Sequence, residues 1–94
     1  MLTLIYVDEE EFFYLPLDAK IPFRRKELTV DEAVAFSRSE EGTYTVYMEA
    51  ALMTKEEADR FSNACRTVGM SSPPVVELQE DGTYSVFLWD DLGK

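Results

Sequence analysis

Two stretches of the chain read alike: EEGTYTVYMEAAL from Glu40 to Leu52 and EDGTYSVFLWDDL from Glu80 to Leu92, which share Glu, Gly, Thr, Tyr, Val and Leu at matching places. A second pair stands ahead of them, TVDEAVAFS from Thr29 to Ser37 and TKEEADRFS from Thr54 to Ser62. Any fold for this chain must therefore seat two copies of one helix-then-strand unit, and that requirement narrows the architecture more than composition does.

The helical half of each unit is marked at its start. Thr29 with Glu32, and Thr54 with Glu57, have the spacing of a capping box, in which hydroxyl and carboxylate each take a backbone N–H that the first helical turn leaves unpaired. Leu28 with Ala33, and Met53 with Ala58, are placed to form hydrophobic staples. In the second helix Ala58, Phe61, Cys65 and Val68 form one apolar stripe, while Lys55, Glu56, Asp59, Arg60 and Arg66 point away from it. Gly69 is a natural stop for it. The first helix is expected from Val30 to about Ser39, with Gly42 closing the segment.

The repeated phrases read as strands, because their apolar residues alternate with a period of two. Tyr44, Val46 and Met48 interleave with Thr43, Thr45 and Tyr47, as Tyr84, Val86 and Leu88 do with Thr83, Ser85 and Phe87. Ahead of the second phrase, Val75 to Leu78 forms a β-branched run that reaches Asp81-Gly82, a hairpin turn signal, with Pro73 and Pro74 at its start. A first hairpin is expected from Leu2–Val7 and Phe12–Leu17 around the acidic turn Asp8–Glu11. The order is then ββαβαββ within a single domain covering residues 1–94. Helices between strands favour crossovers, and two helices cover one face of a five-stranded sheet. The expectation is an α+β two-layer sandwich with a mixed sheet, a variant of the ferredoxin-like arrangement built on an internal duplication.

Charge limits the partners. With 19 acidic against 9 basic residues, a formal net charge of -10 and no histidine, most of the surface repels phosphate backbones and anionic membranes. Four of the bases, Lys20, Arg24, Arg25 and Lys26, are gathered in the single phrase KIPFRRK. A hydrophobic content of 46% nevertheless supports a folded core. The single cysteine, Cys65, permits no internal disulfide and suits a cytoplasmic setting. The apolar opening MLTLIYV lacks a basic leader and meets acids too soon for a signal peptide or membrane span, so it reads as a strand.

Chemistry-bearing patterns are few. The missing histidine removes the most common general base, the usual nucleophile pairs and ordinary zinc sites. Cys65 lies on a buried stripe and is expected to be structural. Asp8, Glu9, Glu10 and Glu11 lack the spacing of a calcium loop, and a charged turn that keeps strand edges soluble accounts for them. Gly42 and Gly82 have no phosphate-binding loop around them, so turn geometry is their expected role. No cofactor is implied.

The strand faces offer more. If the alternating residues above face the helices, Tyr47, Phe87 and Trp89 emerge on the other face beside Thr45, Ser85 and Glu49, with Asp90 and Asp91 following. Aromatics on a sheet face stack on bases in RNA-binding domains, but basic charge surrounds them there, whereas acids do here. A protein partner or a second copy fits better, and the plainer alternative is that the rings pack on one another. Arg24, Arg25 and Lys26 form a secondary candidate contact, against the favoured plain reading of an exposed connection.

The sequence therefore points to a non-enzymatic, acidic protein-binding module, or an inhibitor that occupies a basic nucleic-acid-binding surface of a partner by charge mimicry. Its contact residues would be Tyr47, Glu49, Phe87, Trp89, Asp90 and Asp91. One alternative is a metal-dependent or carboxylate enzyme using the acids at residues 8–11, and another is a structural homodimer joined by the aromatic face or an edge strand.

Overall fold

The computed structural model describes residues 1–66 and 74–90. The chain runs β1 (Leu2–Asp8), α1 (Glu9–Phe13), β2 (Arg24–Leu28), α2 (Val30–Arg38), α3 (Glu40–Thr43), β3 (Thr45–Met53), α4 (Lys55–Arg66), β4 (Val75–Leu78) and β5 (Tyr84–Asp90). The result is an α+β fold with a five-stranded sheet in the order β2-β1-β3-β5-β4. Val68, expected on the apolar stripe of the second helix, Gly69, expected to end it, Pro73 and Asp91 lie outside the described residues.

Every hydrogen-bonded pair in the sheet is antiparallel, which corrects the expectation of mixed strand direction. The expected crossovers are nonetheless present. Strand β2 runs parallel to β3 with β1 between them, and β3 runs parallel to β4 with β5 between them. Each long helix thus joins two parallel strands that leave a gap, and an antiparallel strand fills the gap. These are split βαβ units, and the two share β3.

Alternation along the central strands divides the sheet into two faces. Leu2, Leu4 and Tyr6 of β1, Met48 and Ala50 of β3, and Val86 and Leu88 of β5 are buried in one cluster with Val30 and Ala33 of α2 and with Ala58, Phe61 and Cys65 of α4. Register supports this, since Leu4 lies opposite Ala50 and Tyr6 opposite Met48. Both expected capping boxes form. The hydroxyl of Thr29 accepts from the Glu32 N–H at 3.2 Å and the Glu32 carboxylate accepts from the Thr29 N–H at 2.9 Å. Thr54 and Glu57 repeat the arrangement at 3.2 and 3.0 Å. A bulge between Ala50 and Met53 puts Leu52 at φ 61°, a left-handed conformation that costs about 1 kcal/mol but turns Met53 into the core just before α4 begins.

The N-terminal hairpin differs from its expected form. Residues 9–13 are a helix, because Asp8 is an N-cap whose carboxylate accepts from the Glu11 N–H at 3.2 Å, and Glu9, Glu10 and Glu11 fill a first turn that favours negative charge. The run from Phe12 to Leu17 is therefore not a strand. The partner of β1 is instead Arg24–Leu28, with Leu2 opposite Leu28 and Tyr6 opposite Arg24. Arg24, Arg25 and Lys26, expected on an exposed connection, lie on an exposed edge strand.

The two look-alike phrases also diverge. Glu80 to Thr83 form the hairpin turn between β4 and β5, where Asp81 accepts from the Thr83 N–H and hydroxyl and Gly82 sits at φ +86°. Glu40 to Thr43 instead form α3, with Ser39 as N-cap accepting from the Gly42 N–H at 3.1 Å. Tyr44, expected to face the core, caps that helix and is exposed. Gly42 is buried, and a Cβ there would clash with the carbonyl oxygen of Phe36, so its role is close approach and not turn geometry.

Two stability predictions follow from this geometry. Gly42→Ala should cost about 2 kcal/mol through overpacking, and Gly82→Ala about 1 kcal/mol through its positive φ alone, both read from urea unfolding. Hydrogen bonds from the backbone of Thr29 and Thr54, above all, hold the Glu32 and Glu57 carboxyls below the usual glutamate range. Their contribution to stability is thus complete above the ordinary glutamate pKa and is lost as pH falls through the lowered folded values. A Glu32→Gln/Glu57→Gln variant should lose less stability on acidification than the parent, and identical acid limbs in pH-dependent unfolding would contradict this.

Candidate functional site

The sheet face away from α2 and α4 carries three of the expected contact residues together. Glu49 of β3 lies opposite Phe87 of β5, and the Tyr47 hydroxyl donates to the Glu49 carboxylate at 2.7 Å. The Tyr47 and Phe87 rings meet edge to face with centroids 6.4 Å apart. Phe23, just before β2, adds a third ring at 5.6 Å from Tyr47 on the other side. Tyr47 and Phe87 thus pack on one another in a row that Phe23 joins unforeseen, while the side chains of Trp89 and Asp90 lie outside the described part of the structure. Thr45 and Ser85, expected beside them as open positions, are buried. The Thr45 hydroxyl donates to the Gly42 carbonyl at 2.9 Å. Trp89 lies opposite Met48 and Asp90 opposite Tyr47 in the β3–β5 ladder.

The basic residues are largely engaged within the molecule. Arg24 forms an ion pair with Glu11. Lys26 stands over the rings of Phe36, at 4.8 Å, and Tyr6, at 5.9 Å, and lies 4.0 Å from the Glu41 carboxylate. Arg25 is exposed on the edge strand opposite Ile5. The structure thus ties two members of the basic phrase to neighbouring acids and leaves little positive field to recruit an anion.

The feature that sequence reading missed is a cleft of about 770 Å³ at the end of the sheet where β1 finishes and β3 begins. Asp8, Glu9, Glu10, Phe13 and Tyr14 form one wall, and Glu40, Glu41 and Tyr44 the other. The walls are fastened to each other, since the Glu9 N–H donates to the Tyr44 carbonyl at 2.8 Å. Tyr6, inside the core cluster, donates its hydroxyl to Glu41 at 3.3 Å and holds α3 over the sheet. The signal was present in the letters: Asp8 followed by three acids and then Phe12-Phe13 is an N-cap with an acidic first turn, and Ser39 before Glu40-Glu41 is another. What the letters did not contain was that β1 and β3 are neighbours, which places the two short helices side by side.

Chemically the site offers carboxylates and aromatic rings. Among the described residues, no three acidic or cysteine side chains are grouped so that they could hold one metal ion. Cys65 is buried on the inner face of α4, and burial, as the largest influence, pushes its thiol up from its ordinary range. Among the described residues, no helix is long and apolar enough to cross a membrane. No family model matches the chain, and searches of curated proteins and of solved structures find no match.

Cys65 should therefore react with a thiol reagent such as DTNB at the rate of unfolding. A native-state rate comparable to that of a free thiol would contradict the buried placement.

Proposed function

We propose that the chain is a non-enzymatic protein-binding module whose acidic end docks on a basic surface of a partner. The observation that carries this reading is the gathering of carboxylates at one pole. The acids after β1 and those before β3 surround one cleft. A concentrated negative field raises encounter rates with a basic surface, and the ring row of Phe23, Tyr47 and Phe87 gives apolar area nearby for the contact to bury. An inhibitor that covers a nucleic-acid-binding surface by imitating phosphate charge is the form of this activity that the charge supports best. The single buried thiol suits a reducing, cytoplasmic compartment. We read the sheet and its two long helices as a two-layer sandwich, derived from the ferredoxin-like type by two split units sharing one strand.

A second reading has one observation in its favour. The outer strand β4 exposes Val75, Val76 and Leu78 and carries one charge, Glu77, where β2 carries four, so a homodimer could form by pairing β4 with its symmetry mate. The carboxylate-enzyme reading has less support, because the acids line a broad cleft and do not converge.

A fluorescent arginine-rich peptide should bind the protein at low ionic strength, and affinity should fall about tenfold or more between roughly 50 and 200 mM salt. Absence of binding at low salt, or binding indifferent to salt, would overturn the reading. Sedimentation at increasing protein concentration tests the dimer, which predicts a rising mass that Val76→Lys abolishes.

A further inference from the structure

We propose that the cleft between α1 and α3 is an arginine-binding site, in which the guanidinium of a partner's side chain lies on exposed aromatic rings and reaches carboxylates on both walls. This rests on the reading of the partner as a basic protein, and it assigns that partner's anchor residue and its seat.

Three observations lead there. The first is the exposure of the rings. Phe13, Tyr14 and Tyr44 are 67, 83 and 57% exposed around one concavity, in a chain that buries Tyr6 and Phe61 almost completely. Rings left open around a cleft give the faces to which a cation is drawn.

The second is uncompensated charge. Glu11 is paired with Arg24, and Glu41 has Lys26 nearby. Among the described residues, no ion pair reaches Glu9, Glu10 or Glu40, all three of which line the cleft. Negative charge beside open rings selects a cation and rejects phosphate or a carboxylate ligand.

The third is shape. The cleft, at about 770 Å³, falls within the roughly 300–1,000 Å³ of ordinary ligand pockets and far exceeds what a single ammonium fills. Its acids stand along two walls and form no grouping able to hold one metal ion. The guanidinium is flat, stacks on rings, and spreads five N–H donors in a plane, which suits carboxylates set apart around a ring-lined cleft better than a compact ammonium does. The bond from Glu9 to the Tyr44 carbonyl fixes the spacing of the walls before a ligand arrives, which lowers the ordering cost of binding.

The test uses the full chain and one short peptide in three forms, carrying arginine, lysine or the neutral isostere citrulline. Isothermal titration at low salt should give tightest binding for arginine, several-fold weaker binding for lysine and none for citrulline. Tyr14→Ala/Tyr44→Ala leaves the net charge unchanged and removes only exposed rings; it should weaken arginine-peptide binding about tenfold. Its circular dichroism melt, matching the parent's, shows that the fold is retained. If that variant binds as the parent does while Glu9→Gln/Glu10→Gln/Glu40→Gln loses affinity, the rings take no part, the guanidinium seat is overturned, and charge attraction to the acidic pole alone survives. Equal affinity for the lysine and arginine peptides would overturn the guanidinium assignment. Failure of the parent to bind any of the three would overturn the protein-binding reading and this inference with it.

Discussion

Strand β3 has hydrogen-bonding groups on both of its edges, and the way they are satisfied organises the rest of the molecule. β1 takes one edge and β5 the other, both antiparallel. Because those places are filled, the helices leaving and entering β3 must reach one strand further, to β2 through α2 and to β4 through α4. The apolar residues of β1, β3 and β5 that point to the helix side then form one continuous surface, and Phe61, with no exposed area, seals it. Deleting that ring would be expected to cost about 3 to 5 kcal/mol.

The same pairing decides the electrostatics. Antiparallel neighbours bring the end of one strand beside the beginning of the next, so the acids that follow β1 meet the acids that precede β3. Such crowding is unfavourable by itself, since like charges in a chain of net charge -10 repel. The fold limits the cost by laying the basic strand β2 alongside β1, where Arg24 and Lys26 come within reach of Glu11 and Glu41. The charges left over, with the open rings of Phe13, Tyr14 and Tyr44, are what a cationic partner would meet.

Much of the local structure was legible in the letters. Both capping boxes, the start of each long helix, the Asp81-Gly82 hairpin and the outward position of Tyr47 and Phe87 follow from interactions between residues a few positions apart. The N-terminal hairpin was misread for an equally local reason: the acids after β1 have two roles available, solvated turn or capped first turn, and only Asp8 in its capping position distinguishes them. Tyr44 was misread because alternation was extended one residue too far, into a phrase that resembles its later copy in sequence but not in structure.

That pair of phrases shows where each kind of information ends. The sequence by itself determined where the long helices begin, that Ala58, Phe61 and Cys65 share a buried stripe and that the chain is acidic, because these depend on periodicity, composition and short-range hydrogen bonds. Tertiary structure alone decided that Glu40 to Thr43 coil into α3 while Glu80 to Thr83 turn a hairpin, and that two short acidic helices face each other across a cleft. Those outcomes depend on which strands are neighbours. Strand order is settled by long-range backbone pairing and burial of the whole apolar face, and no window of the sequence contains both partners.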